Sequence, residues 1–334
     1  MAAVWWVMGA LFGCARQAGP PDSLMDPPGS NPLIQIAPCV PGDPDACFNL
    51  GVAYSRGQIV PQNHAAAQQA FTQAALDGHA AALRFLGTYY RLGESVERDD
   101  AKASQLFTTG CDRGDARSCT FLGQMLSDVE SHLPRDYENA VRLFSLACEL
   151  DDSHGCLNLG YAKQYGLGLP PDYTAAAAHF EDACALESQR ACVALGDLYA
   201  MGMGVSRDYA RANSHYDGAC QGESDIGCLS LGEMHLFGLG LPQDTDEASR
   251  LFQSACETDS EAACYFQEHA SEGLSRVELA SGFCDQEHAS GCYHARLLYQ
   301  YGEHTEVDLE QARSYQQRAC DLVEYYCEDP ILTP

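Results

Sequence analysis

Residues 192–220, CVALGDLYAMGMGVSRDYARANSHYDGAC, and residues 228–256, CLSLGEMHLFGLGLPQDTDEASRLFQSAC, are two versions of one pattern set 36 residues apart. In the first, Cys192, Leu195 and Tyr199 fall at i, i+3 and i+7, one face of a helix, and Gly202 offers a left-handed stop. A second helix is expected from Asp208, whose carboxylate suits the free amides and positive dipole of a helix start. The unit is therefore two helices and a turn.

Outward from this stretch, the glycine of a Leu-Gly pair recurs at Gly51, Gly87, Gly123, Gly160, Gly196 and Gly232, at intervals of 36 or 37 residues. Asp136, Asp172 and Asp244 repeat the helix start. Ala176, Phe180, Ala183 and Cys184, like Ala248, Leu251, Phe252, Ala255 and Cys256, form the apolar stripe of the second helix. Small Ala and Gly residues on facing sides let the helices approach closely. Two further units are degraded. Cys256 to Cys284 spans only 28 residues, whereas Cys284 to Cys320 returns to 36 with Tyr299, Gly302, Asp308, Ala312 and Tyr315 in place.

The 17 cysteines follow the same register. Cys39/Cys47, Cys111/Cys119, Cys148/Cys156, Cys184/Cys192, Cys220/Cys228, Cys256/Cys264 and Cys284/Cys292 are each eight apart, and Cys320 and Cys327 are seven apart. Each pair joins the end of a second helix to the next first helix, across a turn such as Asp112-Arg113-Gly114, and a helical hairpin brings such positions within bridging reach. Eight local disulfides are expected, each contributing about 2.5 kcal/mol in the chain-entropy model. The second repeat lacks a pair, with Ala75 and Leu83 in those places. Disulfides at this density belong outside a reducing cytosol.

Only Cys14 stands alone. It ends the apolar run Ala2–Phe12, too short to span a bilayer and of signal-peptide length. Leu11-Phe12-Gly13-Cys14 resembles a bacterial lipobox, which implies a lipid on Cys14. The missing basic residues before the run and the bulky Phe12 depart from that pattern, so conventional cleavage and a fortuitous apolar end stand as alternatives. The expected organisation is a leader over 1–13, a Pro-rich tether over 14–45, a repeat solenoid over 46–327 and a tail over 328–334.

The 36-residue period, the Leu-Gly-x-x-Tyr-x-x-Gly-x-Gly-Val text at 195–205 and the Ala-Cys endings resemble Sel1-like repeats, relatives of the tetratricopeptide repeat. The cysteine pairs resemble the Helicobacter cysteine-rich protein family in particular. The resemblance implies an all-α, right-handed α/α solenoid of about eight helix pairs cross-linked by disulfides. It also implies an adaptor that holds a protein or peptide in a concave groove lined by first helices. For some cysteine-rich members it implies penicillin binding or weak β-lactamase-like activity.

Charge and motifs narrow this further. Lys and Arg number 19 against 47 Asp and Glu, a formal charge of −28, and the only lysines are Lys102 and Lys163, so a nucleic-acid partner is excluded and a basic protein partner favoured. The membrane is expected to be reached only through the lipid, which places the chain in the bacterial envelope as an outer-membrane or periplasmic lipoprotein, or outside the cell as a secreted protein. No Ser-x-x-Lys exists, since Asp99 and Gly160 stand three residues before the lysines, and His-Glu-x-x-His, Gly-x-Ser-x-Gly and Cys-x-x-Cys are absent. No catalytic residue, cofactor or resident metal is expected. Cys284, His288, Cys292 and His294 offer a mixture zinc accepts, but the two cysteines continue the disulfide register. Tyr54, Tyr90, Tyr199 and Tyr299 share one repeat position and are expected to pack. Off-pattern first-helix residues Arg56, Arg91, Lys163, Tyr165 and His235 are the partner-binding candidates, weighed against plain solvation.

Overall fold

A computed structural model describes residues 39–128, 131–258, 260–301 and 306–322. The leader with Cys14, the tether as far as residue 38, the side chains of His294 and Cys320, Cys327 and the 328–334 tail lie outside the described residues. Among the described residues all regular structure is helical, sixteen α-helices and one 3-10 turn, which read along the chain as eight helical hairpins. First helices begin at Pro44, Ala80, Ala116, Ser153, Gln189, Asp225, Glu261 and Ala289, and second helices at His64, Asp100, Tyr137, Tyr173, Tyr209, Thr245, Arg276 and Leu309. The expected all-α architecture of eight pairs is what forms.

The starts are capped as the sequence demands. Asp136, Asp172, Asp208 and Asp244 each accept a hydrogen bond from the amide three residues on, as do Asn63 and Asp99. Gly202 closes its first helix at φ 72°, where a side chain would be strained.

The repeat glycine has a more specific role than small size. Twenty or twenty-one residues after each one stands an aromatic ring, Phe71, Phe107, Phe144, Phe180, Tyr216 and Phe252 in turn. Each ring lies against its glycine. A Cβ at Gly51, Gly87, Gly123, Gly196 or Gly232 would sit 2.5–2.7 Å from ring carbons, and one at Gly160 closer still. The five phenylalanines are completely buried. Each such ring contributes about 1.5–3 kcal/mol by leaving water.

The chain divides into two compact units at Gly155/Cys156, within the helix Ser153–Tyr165. In the first unit Phe71 stacks on Phe85, and Ala75 and Leu83 are buried in the same cluster, so apolar packing fills the junction that has no cysteines. Hydrogen bonds reinforce the later junctions. Asp115 caps the third first helix and receives the Ser118 hydroxyl at 2.6 Å and Arg84 Nε at 3.2 Å, and Asp152 receives the Thr120 hydroxyl at 2.6 Å. Asp100, 5% exposed, accepts from both Arg98 nitrogens at 3.0 and 3.1 Å and from the amide and ring of His132 at 2.9 and 2.8 Å. Burial alone would raise this carboxyl, but the Arg98 and His132 bonds outweigh it and hold it at about 2.

In the second unit the seventh pair is short. Its helices run Glu261–His269 and Arg276–Asp285, joined by a 3-10 turn and a Ser275/Glu278 capping box. In the eighth pair Arg296, completely buried, replaces the glycine and Gln316 the aromatic, so both sides of the contact change together.

Disulfides join Cys39–Cys47, Cys111–Cys119, Cys184–Cys192, Cys220–Cys228, Cys256–Cys264 and Cys284–Cys292, with Cα separations of 4.2 to 4.8 Å. Cys148 and Cys156 are also disulfide-bonded. Seven pairs are therefore described where the spacing predicts eight. Cys327 marks the difference: its expected disulfide with Cys320 is not among the described bridges, because Cys327 lies outside the described residues. The Cys284–Cys292 bridge removes both sulfurs from any zinc set, and His288 instead stacks on Phe283 at 4.1 Å.

Candidate functional site

The five sequence-based candidates do not converge. Arg56 is half-buried in the last turn of its helix, a favourable place for a cation. Arg91 pairs with Asp128 at 3.5 Å. Lys163 edges an open cleft with Pro170, Pro171, Tyr173, Thr174 and Gly204. Tyr165 stacks on Tyr161 at 6.1 Å. His235 is half-buried, and its Nδ1 has no hydrogen-bond partner among the described residues. Of the shared tyrosines, Tyr199 stacks on His215 and accepts a hydrogen bond from Arg211 at 3.2 Å, while Tyr299 stacks on Tyr315.

A different position brings groups together. The residue after the repeat glycine is Tyr161, Asp197 and Glu233 in three successive repeats of the second unit. One residue in each first helix, advanced by one repeat each time, gives a row across three parallel helices. Tyr161 and Asp197, and Asp197 and Glu233, are close enough to influence each other's ionisation. Arg190 joins Tyr161 from the start of the middle helix.

The two acids are handled differently. Glu233 is buried and takes both Nε and Nη2 of Arg276, at 2.9 and 2.8 Å. Asp197 is half-buried and receives the Tyr216 hydroxyl on Oδ1 at 2.7 Å. Tyr216 is the one tyrosine among the six rings that face glycines, and its hydroxyl is what reaches Asp197. Burial pushes the Asp197 carboxyl up to about 6, with Glu233 adding to the rise and the Tyr216 bond and Arg276 opposing it. Burial likewise pushes the Tyr161 and Tyr216 phenols up, so both remain neutral donors. The row offers one partly exposed carboxylate, with two guanidinium groups already engaged and both tyrosines buried. Such a set can orient a polar chain.

The sequence signal for this row is present. The position reads Val52, Thr88, Gln124, Tyr161, Asp197, Glu233, so it turns acidic in two consecutive repeats.

Helical hairpins stacked with a 36-residue period and ordered first-helix faces define an α/α repeat scaffold. The Sel1 repeat model matches residues 44–79, 80–115, 116–152, 153–188, 189–222, 226–259 and 292–323, leaving out the short seventh pair. The chain belongs to the Sel1 repeat family. It is similar to the solved structure of c5321, a protective antigen of uropathogenic Escherichia coli with this repeat fold, at 27% identity and a TM-score of 0.62. That match covers 84% of this chain, which spans 62% of the c5321 chain. A Sel1 repeat protein from Oxalobacter formigenes is similar at 24% identity and a TM-score of 0.62, over 67% of this chain and 91% of that one. Helicobacter pylori cysteine-rich protein B is similar at 29% identity and a TM-score of 0.33, over 41% of this chain and 97% of that one. No curated protein matches the chain. Sel1 repeat proteins are protein-interaction scaffolds, and no catalytic family is among the matches.

Proposed function

We propose that the chain is an interaction scaffold of the bacterial cell envelope, carried on a lipid at Cys14 or secreted, that binds a protein or peptide along the face of its first helices. The observation that carries this reading is the Tyr161/Asp197/Glu233 row, in which three successive first helices set polar groups the repeat does not need side by side, with Asp197 still partly exposed. The disulfides support the compartment. The charge of −28 supports a basic partner and salt-sensitive association.

Affinity capture from envelope extract at low salt, followed by a salt wash, tests it. Retention of one or a few basic proteins that elute as salt rises is the expected result; an empty column at low salt rejects the reading. Exposure to a chromogenic cephalosporin is expected to give neither turnover nor an acyl adduct by intact mass, and either one would replace the scaffold with a hydrolase.

A further inference from the structure

Asp197 and Glu233 occupy the same repeat position one period apart, and only one of them has a cation. Arg276 reaches Glu233 from the helix Arg276–Asp285 with two bonds to Oε2. Asp197 has the Tyr216 hydroxyl on Oδ1 and no ion pair among the described residues. Arg190, on its own helix, faces Tyr161 and Asp225 instead. The side chain is not needed for packing, because the ring of Tyr216 seals Gly196 as phenylalanine does in the other five repeats. The Tyr216 hydroxyl fixes the carboxylate and aims it. Tyr161, from the preceding first helix, is buried with its ring edge-on to Phe180 at 5.1 Å, so Asp197 is the member of the row that stays partly open to solvent.

We infer that Asp197 is the anchor for an arginine or lysine of the bound partner, which occupies at this repeat the place that Arg276 takes at the next, with Tyr216 orienting the carboxylate. This rests on the scaffold reading and names what the partner must present. A half-buried carboxylate with one hydrogen bond gives up little water on meeting a cation, so the contact discriminates strongly against neutral side chains. Because Asp197 must be charged, binding weakens as pH falls through about 6. The groups facing it are Tyr216 from its own second helix, Tyr161 from the preceding first helix, and Glu233 with Arg276 beyond it; the tyrosines stay neutral and Arg276 stays charged across that range.

The test selects a random decapeptide library on the full disulfide-bonded chain at pH 7.5 and measures the recovered peptides by calorimetry. The expected outcome is enrichment of one fixed Arg or Lys, with affinity falling about tenfold or more in Asp197→Asn and on replacing that residue by citrulline or norleucine. A smaller loss is expected in Tyr216→Phe, which keeps the ring against Gly196, and a midpoint near pH 6 is expected in the original chain. Thermal unfolding verifies that both variants are folded. Peptides that bind equally well to Asp197→Asn, or that share no basic residue, overturn the anchor and leave the scaffold standing. Failure to enrich any peptide, together with an empty envelope pull-down, removes both.

Discussion

The junction between the first and second repeats and the junction at Cys220–Cys228 have the same helical geometry and are held by different chemistry. One buries Ala75 and Leu83 in an apolar cluster with Phe71 and Phe85; the other carries a disulfide. Inside the repeats on either side of these junctions, the glycine–aromatic contact does not vary: Gly51 on Phe71, Gly87 on Phe107, Gly196 on Tyr216, Gly232 on Phe252. In the first six repeats the fold therefore resides in the contact within the repeat, and the junction is where different means of stabilisation are exchanged.

Breaking the shared contact has the largest expected effect. Phe71→Ala and Phe252→Ala should each cost about 3–5 kcal/mol, by equal amounts in the two regions, read from denaturant unfolding without reductant. Unequal losses would mean that the junction chemistry sets how firmly the repeat packs. Next, replacing Cys220 and Cys228 together by alanine should cost about 2.5 kcal/mol. Reductant should weaken the disulfide junctions while leaving amide exchange around Ala75 and Leu83 comparatively protected.

Two acids sharpen the contrast further, because they shift in opposite directions. Asp100 is lowered from 3.8 to about 2, so its stabilisation is complete above about pH 4 and is lost as pH falls towards 2. Asp100→Asn should remove about 2 kcal/mol at pH 7 and flatten acid unfolding in that window. Asp197 is raised to about 6, so its folded state favours the proton, and stability declines as pH rises from about 4 to 6. Asp197→Asn should therefore make the chain more stable at pH 7.5, by about 1 kcal/mol after allowance for its partial exposure. An acid that holds the fold and an acid that weakens it serve different ends.

The smallest change is the most direct exchange. Ala75→Cys with Leu83→Cys should form a bridge worth about 2.5 kcal/mol and lose the burial of Leu83, about 2 kcal/mol, for a net change within about 1 kcal/mol of zero. A gain as large as a full disulfide would show that Leu83 contributes little.

The parts of this molecule legible in the sequence are those that repeat along one strand of text. Cysteine spacing, the aspartate caps and the glycine period mark local structure, and each described instance forms where its spacing puts it. The pairing expected of Cys327 is the exception, since Cys327 lies outside the described residues and its bridge to Cys320 rests on spacing alone. The glycine's partner ring, 20 residues away on the facing helix, is equally periodic, but its meaning depends on a tertiary contact that spacing does not name. The Tyr161/Asp197/Glu233 row is harder to read. Arg56, Arg91, Lys163, Tyr165 and His235 stand out as polar interruptions of single helices, and the fold spreads them over three repeat positions and two units. Tyr161, Asp197 and Glu233 become neighbours only because stacking sets one repeat position side by side. Arg276 pairs with Glu233 only because the short seventh pair brings it within reach.

The placement of the disulfides also bears on how the chain would respond to pulling. Each bridge short-circuits the eight-residue span of its turn, leaving 28 residues of extensible chain between Cys192 and Cys220 and again between Cys228 and Cys256. At roughly 3.5 Å per residue, a repeat drawn out under load can lengthen by no more than about 100 Å before its tether goes taut. Between Cys47 and Cys111, where one bridge is missing, the slack is 64 residues, more than twice as much. A scaffold built this way yields in short, limited steps between its described bridges except from Cys47 to Cys111, where a single long extension can absorb a sudden strain.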